Sequence, residues 1–183
     1  MNTNKSMRNK AFTSLPRQRG ASLLEGIAYL GIAAIVVLGA VSLLTGAFTS
    51  AQSNRVAEEV VSIRTAVKKL YMGQSSGYGS GTDLMPVLVA SKVLPSTISV
   101  ASGATTATNS WGGAVTVIGN GGNQFDIAYA AVPQDACINI LSGASGWSVI
   151  SGGGGAVPAI PVTPAGAQGA CAAGANLITW TSL

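Results

Sequence analysis

Between positions 26 and 51 the chain carries no charged residue. At 1.5 Å of rise per residue, a helix of about 26 residues reaches roughly 39 Å, enough to cross a hydrocarbon layer ~30 Å thick with some tilt. The pattern then changes without a break. Val56, Val60, Ile63, Val67 and Leu70 recur at spacings of 4, 3, 4 and 3, which places them in one stripe of an amphipathic helix. Arg55, Glu58, Glu59, Arg64, Lys68 and Lys69 read as its polar side. Arg55 and Glu59 have the i,i+4 spacing of an ion pair, and the two lysines suit the negative end of the helix dipole. No proline lies between Pro16 and Pro86, and Gly73 is a natural stop. One helix is predicted from about Ala21 to Met72, lipid-like all round in its first half and one-sided in its second.

Beyond it the period shortens. Residues 73–81 read as a flexible turn, and a short helix is predicted from about Asp83 to Ser91, capped by Thr82 or Asp83 with Pro86 in its first turn. Residues 92–110 read as loop. Residues 113–118 and 123–130 alternate in polarity around Gly119-Asn120-Gly121-Gly122, the signature of a hairpin, with Phe125, Ile127 and Tyr129 on one face. A short helix is predicted at 133–141 and strands at 146–150 and 177–182. The Gly/Pro/Ala-rich stretch 152–176 reads as a long surface loop. The expected fold class is α+β: a long N-terminal helix packing its stripe on an antiparallel sheet of about four or five strands. No internal repeat is visible.

Charge sharpens this division. The chain has 183 residues and a net charge of +4, with charged residues at 9%, where about a quarter is usual for a soluble domain. Lys5, Arg8, Lys10, Arg17 and Arg19 all precede Gly20, and the remainder is close to neutral. The basic excess therefore belongs to a tail, which places the N-terminus in the cytoplasm and the rest across the membrane. No basic patch remains to bind nucleic acid.

Candidate chemistry is sparse. Histidine is absent, which removes the commonest general base and metal ligand. Gly73-Gln74-Ser75-Ser76-Gly77 matches GxSxG, but that motif needs a strand–turn–helix context and a histidine. Trp111, Trp147 and Trp180 could form a carbohydrate platform; widely spaced tryptophans are more often core or rim residues. No cofactor, metal or enzymatic activity is expected. Cys137 and Cys171 read as one disulfide in an exported protein and as two thiols in a cytosolic one. The exception to the apolar pattern is Glu25, a carboxylate at the mouth of the uncharged run. Such a group is costly in hydrocarbon, and its plainest role is to lie among headgroups in a helix's first turn.

A basic tail, then Gly20-Ala21-Ser22-Leu23-Leu24-Glu25, then a long apolar helix resembles the signal of type IV pilins. The resemblance is specific over residues 16–50 and architectural beyond them. It implies cleavage by a prepilin peptidase between Gly20 and Ala21, N-methylation of Ala21, and an assembly role for Glu25. The long leader and a first mature residue other than phenylalanine are similar to the type IVb branch, which includes the thin pili of conjugative plasmids. The implied organisation is a leader at 1–20, a transmembrane and polymerising half-helix at 21–50, and a globular domain at 51–183.

The implied function is a structural subunit of an extracellular filament for adhesion or conjugation, with a minor pilin or a type II secretion pseudopilin as the alternative. Implied partners are further copies of the chain, the prepilin peptidase, the inner membrane before assembly, and a machinery of ATPase, inner-membrane platform and outer-membrane secretin. The precursor would sit in the inner membrane and the product on the cell surface. The Cys137–Cys171 pair would be a disulfide closing about 35 residues, worth about 4 kcal/mol in the chain-entropy model. Gly26, Gly31, Gly39 and Gly46 would allow close helix approach, with loosening near Gly39 in the filament. Two other readings compete: a secretory signal peptide, whose apolar core of roughly 7–15 residues is shorter than this run, and an uncleaved signal anchor, which has no need of Glu25.

Overall fold

The computed structural model describes residues 22–157 and 159–183. A single helix, α1 (Leu23–Leu70), comes first among the described residues, and the chain divides into two compact units after Ser42. In the first unit the described residues from Leu23 on are helix, and its large apolar side chains are exposed, Leu23, Ile27, Leu30, Ile35 and Leu38 among them. The helix is unbroken through Gly39.

The second unit holds the rest of α1 and everything after it. Val56, Val60, Ile63 and Val67 are all buried, as their spacing requires, and Leu70 is half-buried. The elements that follow are β1 (Ser80–Asp83), α2 (Met85–Ala90), β2 (Ser99–Val100), β3 (Ala107–Thr108), β4 (Ala114–Asn120), β5 (Phe125–Pro133), α3 (Gln134–Ser142), β6 (Val149–Gly152), β7 (Gly155–Ala156), α4 (Pro164–Ala170) and β8 (Ala175–Ser182). The strands form one antiparallel sheet in the order β2-β3-β4-β5-β8-β6-β7, and β1 pairs with the far end of β4. Alternation on β4, β5 and β8 puts Val115, Tyr129 and Ile178 in one cross-strand row and Val117, Ile127, Trp180 and Ile150 in the next. These rows, the α1 stripe, and Leu84, Met85 and Leu88 form one core.

Several expectations need correction. The sheet has eight strands among the described residues rather than four or five. The additions are strands of two to four residues, too short for an alternation signal. The 152–176 stretch is not only loop: it holds β7 and α4. Thr163 caps α4, its Oγ1 accepting from the Gly166 amide at 3.2 Å, with Pro164 at the first helical position. That Thr-Pro start signal is present in the sequence. The α2 cap is neither Thr82 nor Asp83, because β1 runs through both. The helix begins after Leu84, and the Asp83 carboxylate instead accepts from the Met85 amide at 2.9 Å.

Glu59 is the sharpest correction. It is 3% exposed, beneath the helix rather than on its polar side. Position 59 follows Val56 by three and precedes Ile63 by four, so the helical period carries it into the stripe. The Tyr129 hydroxyl of β5 donates to Glu59 Oε2 at 3.2 Å, so Glu59 does not use its carboxylate as half of a surface pair.

Two close approaches fix the sheet margins. A β-carbon at Gly119 would run into the Tyr78 carbonyl oxygen, where the chain entering β1 crosses β4. One at Gly152 would strike the Ala170 carbonyl oxygen at the end of α4. Ala131 holds φ of 58° at the register shift between Tyr129 and Val132, a strained residue within a bulge. Asn109 anchors that bulge, donating through Nδ2 to the Ala130 carbonyl at 2.7 Å and accepting from the Gly113 amide at 2.9 Å.

Candidate assembly surface

Gly20 and Ala21 lie outside the described residues. Glu25 is exposed in the first turn of α1, where its charge faces the positive end of the helix dipole. Its amide donates to Ser22 Oγ at 3.3 Å, and the Tyr29 hydroxyl donates to its Oε1 at 3.4 Å. Ser22 is thus the cap of α1, and Ser22-Leu23-Leu24-Glu25 has the spacing of a capping box. That signature gives Ser22 and Glu25 a local part in starting the helix, which reading Glu25 as a lone charge missed. Tyr29, one turn further on, holds one carboxylate oxygen and leaves the group on the surface.

Downstream of Glu25 the uncharged face is open. Leu43 and Phe48 are as exposed as the residues before them, and, the helix's own backbone and each glycine's chain neighbours aside, no described atom lies within 4 Å of a β-carbon built at Gly26, Gly31, Gly39 or Gly46. A helix of this length and composition suffices to cross a membrane. An apolar surface of this extent in water drives either membrane insertion or association.

The far end of α1 is held rigidly. Arg64 Nε donates to Ser182 Oγ at 2.9 Å, one of its terminal nitrogens donates to the Gly146 carbonyl at 2.8 Å, and its guanidinium lies 4.7 Å from the Trp147 ring centroid. Trp180 is buried and packs edge-on against Tyr129, while Trp111 and Trp147 are half-buried. The tryptophans are therefore core and rim residues. Burial, and after it the neighbouring Glu59 carboxylate, raise the Tyr129 phenol well above its ordinary range. Desolvation, and then Arg64, lower Lys68.

Cys137 and Cys171 are joined. Their α-carbons are 6.1 Å apart across a separation of 34, tying α3 to the C-cap of α4. Asn176, buried beside them, was not singled out by sequence: its Oδ1 accepts from the Ala172 amide at 2.7 Å, and its Nδ2 donates to the Ala172 and Gly174 carbonyls. An asparagine at the start of a strand carries no spacing signal that would mark this role.

The family model described as PilS N terminal matches residues 50–183. No curated protein matches the chain. Among solved structures, TcpA, a type IV pilin from Vibrio cholerae El Tor, superposes with a TM-score of 0.54 at 11% identity, covering 72% of this chain and 99% of that one. The type IVb pilin from Salmonella typhi covers 72% of this chain and 94% of that one, at 24% identity and a TM-score of 0.49.

Proposed function

We infer that this chain, which belongs to the PilS N-terminal family, is the structural subunit of a type IV pilus, of the IVb branch. The observation that carries this is α1 itself. One helix joins a fully exposed, uncharged half with a single acid at its start to a half whose stripe is the core of an α+β domain. In a helix made only to anchor the domain, Glu25 would do no more than help to start the first turn; pairing across copies asks for a carboxylate at that place.

The pre-assembly form resides in the inner membrane with its basic leader in the cytoplasm. Cleavage between Gly20 and Ala21 frees an amine, methylated on Ala21, at the positive end of the helix dipole. In the filament that amine meets Glu25 of a neighbouring copy. An unpaired charge in so apolar a setting costs several kcal/mol, so the pair sets axial register while the apolar faces of α1 supply affinity. The partners are further copies of the chain, the prepilin peptidase and the assembly ATPase, platform and secretin. The filament serves adhesion or conjugation at the cell surface.

The test is N-terminal sequencing of the product made beside a prepilin peptidase. A chain beginning at Ala21 is expected. A product that still begins at Met1, or a Gly20→Val variant processed like wild type, removes the reading. Glu25→Ala should keep the processed chain in the membrane and lower filament yield at least tenfold, scored by electron microscopy of sheared material.

A further inference from the structure

Beside α1, between its turns 50–61 and the segment from the end of α3 to Trp147, the second unit has an open groove of about 430 Å³. Asn54, Ala57 and Val61 line one wall, Ala144 and Trp147 the other, and Ile140 the floor, and none of the lining residues is charged. On the α1 wall the helix presents Ala57 and a half-exposed Val61, apolar groups left in solvent. On the opposite wall, glycine, alanine and serine at 143–145 keep the rim low enough for a backbone to approach.

We propose that this groove seats the uncharged stretch of α1 from a second copy of the chain. The proposal rests on the pilus reading and names where one copy holds the next. Three observations select the occupant. The α1 wall of the groove runs through Ser50, Asn54, Ala57 and Val61, and the exposed Leu43, seven residues before Ser50, lies on that same helical face, so apolar surface and groove are continuous on one element. Residues 26–54 have no charge, and neither does the groove, so neither surface buries an uncompensated ion on contact. The occupant also needs cover: Leu43 and Leu44 are 80% and 54% exposed, with no described residue covering them. Asn54, Asn139 and Ser145 at the margin can hydrogen-bond to water or a neighbouring backbone, giving an apolar floor with a polar rim.

The chain's two cysteines are already bonded to each other, so introduced cysteines report contacts cleanly. Full-length chains carrying Ala144→Cys together with Ala40→Cys, Leu44→Cys or Phe48→Cys are expressed with the assembly machinery and oxidised. Covalent ladders are expected from sheared filaments and not from unassembled membrane protein for at least one pairing. In parallel, Ala57→Trp fills the groove. Filament yield should fall at least tenfold, while cleavage, membrane level and formation of the native disulfide stay as in wild type. Wild-type yield for Ala57→Trp, or Ala144→Cys linking only to a cysteine on the outer sheet face such as Val149→Cys, overturns the proposal. If the unmodified chain itself makes no filaments, the pilus reading fails first and this inference with it.

Discussion

Glu59 is a carboxylate in the core of a domain with few charges, and one of its oxygens, Oε1, is buried without a hydrogen-bond partner among the described residues. The other is held by Tyr129. Tyr129→Phe removes that donor and leaves the second oxygen bare as well, so the domain should lose about 1–3 kcal/mol in urea unfolding. Loss of less than the error of such a measurement would show that the bond is not formed. The raised phenol also fixes a pH dependence. The native state holds the Tyr129 proton more tightly than the unfolded chain, whose tyrosine loses it near 10.0. This contribution is complete below that pH and is lost as pH climbs above it. Above about pH 10, the stability of Tyr129→Phe should therefore decline less steeply than that of wild type. Arg64 is the other residue whose partners span the chain. Its two hydrogen bonds and its stacking on Trp147 use the planar fork, so Arg64→Lys should behave as a loss rather than a conservative change.

At the scale of elements, α1 performs two tasks separable by mutation. Ile63 is fully buried against the sheet, and Ile63→Ala should cost about 2–5 kcal/mol in the melting of the outer domain. Leu30, exposed in the first half, has no such contacts. Leu30→Ala should leave that melting unchanged and act only on membrane affinity and assembly. Equal effects of the two on thermal stability would break this division. The α3–α4 layer depends on its cross-link and on Asn176. Cys137→Ser should lower domain stability by about 2–5 kcal/mol under oxidising conditions without altering the proposed leader cleavage. The helices were legible in proportion to length and caps. α1 follows from spacing alone, α3 from a compact apolar run, and α4 only from Thr163-Pro164. That pair lies in a stretch so rich in glycine and alanine that its composition hides a two-turn helix.

Over the whole molecule, a basic tail, an uncharged helix and a disulfide-bearing domain follow one another along the chain. Deleting residues 1–50 should give a soluble, monomeric domain, because the exposed apolar surface is concentrated before Ser50 while the core lies after it. Gel filtration showing aggregation of that fragment would argue that the domain needs the first half of α1. The sequence by itself determined what repeats over a local period: the uncharged run, the buried stripe and the β4–β5 hairpin, each written in residues three, four or two apart. Glu59 follows the same period: its position, three after Val56 and four before Ile63, outweighs its charge. Only the tertiary structure decided that β8 enters between β5 and β6, that two-residue strands extend the sheet, and that Arg64, Asn109 and Asn176 each fasten distant segments. Those contacts join residues tens of positions apart. No local periodicity encodes which distant backbone will supply the partner for a buried polar group; the requirement that each be satisfied is met only once the chain has closed on itself.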